Sequence, residues 1–337
     1  MNTAWLSRWW WRHWSHRGPV AATLYPLSLA YAGLAEYNRM RLEEIRRTTR
    51  LPLKAVIVVG NLTVGGSGKT PMTDWLARRL TEAGYRPGIV SRGYGRRGEA
   101  GQAVHPDSDP SEVGDEPVLL ARRTRLPVQV DRDRVRGARA LADRGADVVI
   151  ADDGMQHHRL PRDLTVLMVD GRRGLGNGLC LPAGPLREPK AARARADFVV
   201  RTGGEAGADE IPMQLVPASR LRRVDGSDEI MRPRFLGGQE VHAVAGIADP
   251  ERFFSMLEQR GIYVIRHPFP DHHRFRARDL AFDDNLPVLM TEKDAVKCRS
   301  FAQSRHWYWP VAASLPATFE SALLQRLRTS IRLRHLG

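Results

Sequence analysis

Cysteine is almost missing: Cys180 and Cys298 are the only two in 337 residues. Two thiols are too few for a disulfide framework or a cysteine metal cluster, and they suit a reducing compartment. Lysine is nearly as rare. Of 52 basic residues only Lys54, Lys69, Lys190, Lys293 and Lys297 are lysine. The formal charge of +14 invites anionic partners, but a bias toward arginine explains much of it. No basic groove motif points to nucleic acid, and nothing calls for an obligate protein partner. The bias makes each surviving lysine informative, as a place where a compact ammonium is needed. Lys69 lies in a glycine-rich loop, and Lys293 and Lys297 fall together in TEKDAVK. Long apolar runs are absent too. Gly18 to Ala35 is uncharged but interrupted by Pro19 and Pro26, and falls short of the about 20 apolar residues a spanning helix needs. No signal-peptide pattern, internal repeat or low-complexity tract is present.

What is present begins with Val56 to Pro71, VIVVGNLTVGGSGKTP. A β-branched run ends in a glycine-rich loop and then a helix start, the arrangement that cradles a polyphosphate on backbone N–H groups and a helix N-terminus. Lys69 can reach the β- and γ-phosphates of ATP, and the Thr70 hydroxyl can ligate Mg²⁺. The candidate nucleotide-binding residues are Thr63, Val64, Gly65, Gly66, Ser67, Gly68, Lys69 and Thr70. The loop departs from GxxxxGK[ST], with Thr63 at the first glycine position, and Val64 stands where some GGxGK proteins carry a second lysine.

Short apolar runs alternate with helical stretches downstream, at 88–90, 128–130, 147–150, 164–169 and 198–200. This predicts a P-loop NTPase-like α/β fold, with a largely parallel sheet covered by helices on both faces, over residues 51–235. Around Arg220 to Gly238 the chain turns polar and reads as a linker. A second alternating set (241–247, 262–265, 288–291 and 307–311, with a helix near 250–259) predicts a smaller α/β lobe over 236–337.

Residues 1–50 form a third segment. Tryptophans 5, 9, 10, 11 and 14 interleave with Arg8, Arg12 and Arg17, and indole with guanidinium favours a lipid headgroup layer. The segment reads as a helical interfacial anchor on a membrane surface; the competing reading is an arm packed on the protein's own core.

Three acidic or imidazole motifs stand near the loop in chemistry. VVIADD, ending at Asp152 and Asp153, is a buried-strand pattern that presents a carboxylate to Mg²⁺ in phosphate-loop enzymes. Gly114-Asp115-Glu116-Pro117 supplies adjacent carboxylates for metal or proton, or simply a helix cap. Phe269 to Phe275 (FPDHHRF) packs acid, imidazole and ring together without zinc spacing, and His157-His158 is equally open between site and solvated loop.

Together these residues resemble one family, the tetraacyldisaccharide 4'-kinases that phosphorylate lipid A precursors in Gram-negative bacteria. The resemblance runs through GNLTVGGSGKTP at 60–71, SRGYGR at 91–96, GDEP at 114–117, ADDGMQH at 151–157, LPAGPLREP at 181–189, FPDHHRF at 269–275 and TEKDAVK at 291–297. It implies ATP- and Mg²⁺-dependent phosphorylation of the 4'-hydroxyl of a tetraacylated glucosamine disaccharide 1-phosphate, on the cytoplasmic face of the inner membrane. It also implies Asp115 as the catalytic aspartate, His272 rather than His273 as its partner, and Asp153 and Glu188 in the metal region beside Thr70. A membrane-associated phosphate-loop ATPase and a soluble small-molecule kinase are the competing functions.

Overall fold

The computed structural model describes residues 10–96, 98 and 100–336. Trp5, Arg8 and Trp9 of the expected anchor lie outside the described residues. After a helical turn at residues 10–14 come helix α1 (Pro19–Thr48), β1 (Ala55–Gly60), α2 (Lys69–Glu82), β2 (Pro87–Ser91) and β3 (Gln102–Val104). Next come α3 (Asp115–Thr124), β4 (Val128–Val130), α4 (Arg134–Asp143), β5 (Val148–Asp152), β6 (Leu164–Asp170), β7 (Phe198–Thr202) and β8 (Ile211–Pro217). A second set follows: β9 (Leu221–Arg223), β10 (Ile230–Met231), β11 (Glu240–Ala245), α5 (Pro250–Glu258), β12 (Tyr263–Pro268), β13 (Val288–Thr291), α6 (Glu292–Cys298) and β14 (His306–Trp309). The chain ends with β15 (Val311–Ser314) and α7 (Ala317–Leu336).

The larger sheet has the order β15-β8-β7-β6-β1-β5-β2-β4-β3. It is parallel except for β3 and β15 at its two edges. Strands β1 and β5 are buried along their whole length, and their Val/Ile runs pack against helices on both faces, as a doubly covered sheet requires. One face buries Met72, Leu76 and Leu80 of α2 with Phe319, Leu323 and Leu327 of α7. The other buries Val135, Ala138 and Leu141 of α4, with Tyr31 and Ala32 of α1 packed against that cluster. The smaller sheet runs β10-β9-β14-β13-β11-β12.

Two boundaries differ from the sequence expectation. The second lobe begins with β9, upstream of residue 236, because the polar stretch at 220–238 contains two short strands, β9 paired to β14 and β10 paired to β9. Nor does that lobe run to the end of the chain. The apolar run at 307–311 reads as one strand, yet Pro310 divides it: Trp309 pairs with Thr291 in the smaller sheet, and Val311 pairs with Pro217 in the larger one. Without an N–H, Pro310 cannot continue the ladder, and the chain changes sheets there. The outward crossing at 218–220 lies against this return: the Ala218 N–H donates to Pro310 O at 2.8 Å, and Trp309 Nε1 donates to Ala218 O at 2.7 Å.

α1 settles only part of the anchor question. Its small face docks on the core, where Ser28 Oγ donates to Cys180 O at 2.6 Å and Tyr31 Oη to Arg187 O at 3.2 Å. Its opposite side leaves Leu27, Leu29, Leu34, Tyr37 and Met40 exposed, Leu34 at 69%. No helix among the described residues is long and apolar enough to cross a membrane. Trp11 and Trp14 turn inward instead. Trp14 Nε1 donates to Pro182 O at 3.0 Å, and the Arg173 guanidinium lies 4.5 Å over the Trp11 ring. For these two indoles, packing on the protein's own core is the observed arrangement.

Candidate functional site

The phosphate loop divides into a braced half and an open half. Thr63 bridges Leu186, and the Val64 N–H donates to Pro185 O at 2.9 Å, so the LPAGPLREP segment holds the loop's entry. Gly65 packs beside Trp11 and Arg173. Thr63, Val64 and Gly65 therefore shape the loop from behind, while Gly66 to Thr70 line a cavity of about 250 Å³ between the lobes. Gly68 has φ 84°, and a Cβ there would stand 2.7 Å from Thr202 Oγ1, which itself donates to Ser67 O at 2.9 Å. Only glycine fits that turn. It lets α2 begin at Lys69 with its first N–H groups facing the cavity. Lys69 Nζ donates to Asn61 Oδ1 at 3.3 Å and lies 3.5 Å from Asp153.

At the end of β5 the two aspartates separate. Asp152 is fully buried and accepts from Thr73 Oγ1 at 3.3 Å. Burial, then the charge of Glu116, pushes its carboxyl up to about 7. Asp153 has a left-handed φ of 52° and is held by Arg187 Nη1 at 3.0 Å. Burial opposes its ionisation, but Lys69 and Arg187 outweigh it and keep the carboxyl below the usual range. Asp153 is the residue that the family resemblance implies for Mg²⁺; Asp152, the last residue of β5, stands beside it as a second candidate.

A hard divalent cation fits this donor set. The crowding of Asp152, Asp153 and Glu116 leaves a buried carboxyl short of positive charge, and the Thr70 hydroxyl lines the same cleft. Among the described residues no three His, Cys, Asp or Glu side chains form a self-sufficient metal cage. Mg²⁺ takes one or two carboxylates and completes its shell with phosphate and water, a demand that Asp152, Asp153 and the Thr70 hydroxyl could meet. Glu188 sits differently from expectation. Its carboxylate is engaged by Arg195 and by Gln156 Nε2 (3.1 Å) and lines a separate cleft beneath α1. Arg195 ion-pairs with it, and Gln156, which also donates to Asn61 O at 3.1 Å, links it toward the phosphate loop.

The raised Asp152 carboxyl has a measurable consequence. A cation favours the ionised form, so binding of preformed MgATP at pH 6 should release about one proton, and little at pH 8.5. Calorimetry in buffers of different ionisation enthalpy reads this directly, and Asp152→Asn should abolish it. Between the ordinary carboxylate pKa and about 7 the folded state binds the extra proton, so Asp152 costs stability as pH rises through that window. Apo Asp152→Asn should accordingly melt higher than wild type at pH 8, and an unchanged or lower melting temperature counts against the raised carboxyl.

Adjacent to the nucleotide cleft, α3 begins after Gly114 (φ 95°), and its first two residues face different cavities. Glu116 lines the phosphate-loop cavity, and Asp115 lines a second one of about 290 Å³ with Tyr94, Ser111, His272, Phe275 and Lys297. His272 arrives from the other lobe in a left-handed conformation (φ 58°), its ring tilted against Tyr94 at 4.8 Å between centroids. Its Nδ1 lies 3.3 Å from Asp115 Oδ2. Lys293 Nζ closes the cluster, at 3.2 Å from Glu116, 3.7 Å from Asp271, 3.9 Å from Asp115 and 3.4 Å from His272 Nε2. Burial works against the charge on Lys293, but these carboxylates raise its pKa well above the usual range. Burial likewise opposes ionisation of Asp115, and the His272 contact and Lys293 charge overcome it, holding this carboxyl below the usual range.

His273 points away. Its Nε2 lies 3.1 Å from Asp279, and its ring packs on Phe269 and Phe275. Geometry thus separates two neighbours that sequence alone leaves ambiguous. His157 is equally inward, accepting the Arg134 N–H at 3.3 Å, with burial pulling it down to about 4. Arg123 pins the lobes together, joining Glu292 of α6, Asp74 at 3.2 Å and Val311 O at 2.8 Å.

Comparison with known proteins places the whole chain in one family. The sequence profile of the Tetraacyldisaccharide-1-P 4'-kinase family matches residues 20–328. The Tetraacyldisaccharide 4'-kinase of Alkalilimnicola ehrlichii is 50% identical over 332 residues, covering 96% of each chain. That of Xanthomonas euvesicatoria pv. vesicatoria is 48% identical over 330 residues and 94% of each. Among solved structures, LpxK from Aquifex aeolicus in complex with ATP superposes with a TM-score of 0.76 at 29% identity, over 92% of this chain and 99% of that one. With the family profile matched over residues 20–328 and relatives about half identical over nearly the whole chain, the chain belongs to the tetraacyldisaccharide-1-phosphate 4'-kinase family.

Proposed function

We propose that this kinase transfers the γ-phosphate of ATP to the 4'-hydroxyl of a tetraacylated glucosamine disaccharide 1-phosphate, with Asp115 receiving the hydroxyl proton. The observation that carries this reading is the placement of Asp115 and Glu116 at one helix start, one facing each cavity. ATP held by Gly66 to Thr70 and a sugar hydroxyl beside Asp115 would then meet across α3. As the new O–P bond forms and the bond to the ADP oxygen breaks, the hydroxyl proton passes to the Asp115 carboxylate. His272 orients that carboxylate through its Nδ1. In a loose transition state, positioning and charge neutralisation outweigh proton abstraction, so an ionised, well-oriented carboxylate is effective even with a low pKa. Lys69 supplies fixed positive charge at the phosphates. Mg²⁺, held by the Thr70 hydroxyl with Asp152 or Asp153, would neutralise phosphate charge further. Purified protein with ATP, Mg²⁺ and detergent-dispersed acceptor should give lipid-dependent phosphate transfer. ATP hydrolysis indifferent to lipid would favour the ATPase alternative.

The acceptor's acyl chains belong in a bilayer, and α1 offers the matching surface. We propose that its exposed leucines seat the protein at the membrane interface on the cytoplasmic side. Replacing Leu27, Leu29 and Leu34 together by glutamine should weaken liposome binding about tenfold or more, since each buried leucine is worth about 1.5–3 kcal/mol. ATP affinity should be unchanged. Trp11→Ala should do the reverse, disturbing ATP affinity more than liposome binding, because Trp11 packs behind Gly65. Equal liposome binding by the triple variant and wild type would remove α1 as the anchor.

A further inference from the structure

The second lobe brings its own cation to the phosphate-loop cleft. Arg252, in the first turn of α5, lines the same cavity as Gly66 to Thr70 and is half-buried there. Its guanidinium makes no hydrogen bond or ion pair among the described residues; only its backbone N–H is engaged, by Asp249 Oδ1 at 3.4 Å. The nearby acids are committed elsewhere. Asp249 Oδ2 lies 3.3 Å from Arg172 Nη1, and Asp170 Oδ1 accepts the Arg172 and Arg173 N–H groups. In this chain most buried or half-buried arginines near the site have a carboxylate or carbonyl, as Arg123, Arg134 and Arg187 do. Arg252 stands out for facing a phosphate loop without one.

The surrounding geometry keeps it there. Arg173 Nη2 donates to Ala248 O at 3.0 Å, tying the turn before α5 to the larger lobe. Ala248 sits directly over the loop, its Cβ 3.7 Å from where a Gly66 Cβ would be. Gly203, at the end of β7, offers no side chain, and a Cβ there would meet Arg252 Nη2 at 3.8 Å. Asp170 and Asp249 lie near enough to act on the charge of Arg252, but neither contacts the guanidinium, whose burial disfavours the charge; an anion entering this cleft would relieve that cost by direct contact.

We infer that Arg252 binds the phosphate chain of ATP from the second lobe, clamping the nucleotide between the lobes opposite Lys69. This rests on ATP occupying the phosphate-loop cleft. A charge-assisted hydrogen bond in such a site corresponds to about ten- to a hundredfold in affinity.

The test measures ATP and ADP dissociation constants by calorimetry on the full chain in detergent, for wild type, Arg252→Gln, Arg252→Lys and Lys69→Ala. Arg252→Gln should weaken both nucleotides about ten- to a hundredfold. Arg252→Lys, which keeps the charge, should bind clearly tighter than Arg252→Gln. Melting temperatures close to wild type would show that neither change acts through unfolding. Wild-type nucleotide affinity in Arg252→Gln would overturn the inference, as would equal losses in the Gln and Lys variants, which would point to shape rather than charge. Lys69→Ala separates the two levels. If it weakens ATP and Arg252→Gln does not, only the clamp fails; if neither weakens ATP, the placement of ATP on the phosphate loop fails as well.

Discussion

Lys69→Ala should reduce phosphoryl transfer at least about a thousandfold, the scale seen when a preorganised charge stabiliser is removed from a reaction of this kind. Its side chain is mostly enclosed, and its ammonium is aimed by Asn61 and Asp153 into the cavity rather than into an apolar core. The variant should therefore stay folded. Asp153 keeps Arg187 as its partner, with two contacts at 3.0 and 3.2 Å, so the lost charge does not leave that carboxylate bare. A melting temperature within a few degrees of wild type, with turnover near background at saturating ATP and acceptor, is the expected pair of results. Wild-type turnover would end the assignment of Lys69 to the phosphates. Loss of folding would instead make it a structural partner of Asp153.

Much of this site was legible because its chemistry is local in sequence. A strand, a glycine turn and a lysine within sixteen residues specify a phosphate cradle whatever surrounds them. The rarity of lysine also pointed to Lys293, which the fold places among three carboxylates and His272. The parts that were not legible depend on tertiary contacts. Nothing in Thr63 and Val64 says that their backbone also bridges to Leu186 and Pro185. Glu188 keeps its motif position, yet Arg195, seven residues on, occupies its carboxylate. The return of the chain to the larger sheet was hidden because Pro310 interrupts a run that is apolar on both sides. Trp11 and Trp14 show the same limit: an amphipathic composition suits a membrane and a groove in the protein equally well, and only Pro182 and Arg173 decide between them.

The Asp115–His272 pair gives the second large effect, and a double-mutant cycle is its sharpest test. Asp115→Asn and His272→Ala should each lower kcat about a hundred- to ten-thousandfold, the usual range for an acid–base group. If His272 acts by orienting Asp115, the double variant should be little slower than the worse single one, because groups working as one unit are not additive. Losses that multiply would assign the two residues independent tasks. His273→Ala is the internal control: its ring serves Asp279 and the phenylalanines, so kcat should hold while stability falls. Loss of kcat in His273→Ala with none in His272→Ala would move the catalytic imidazole by one residue. Stability adds an independent check with a fixed sign. The Asp115 carboxyl lies below its ordinary range in the folded protein, so its charge stabilises the fold above about pH 4 and that contribution fades as acid protonates it. Asp115→Asn should therefore melt below wild type at pH 7, and the gap should narrow only below about pH 4. A gap independent of pH would mean that packing around Asp115, rather than its charge against His272 and Lys293, is what the substitution removes.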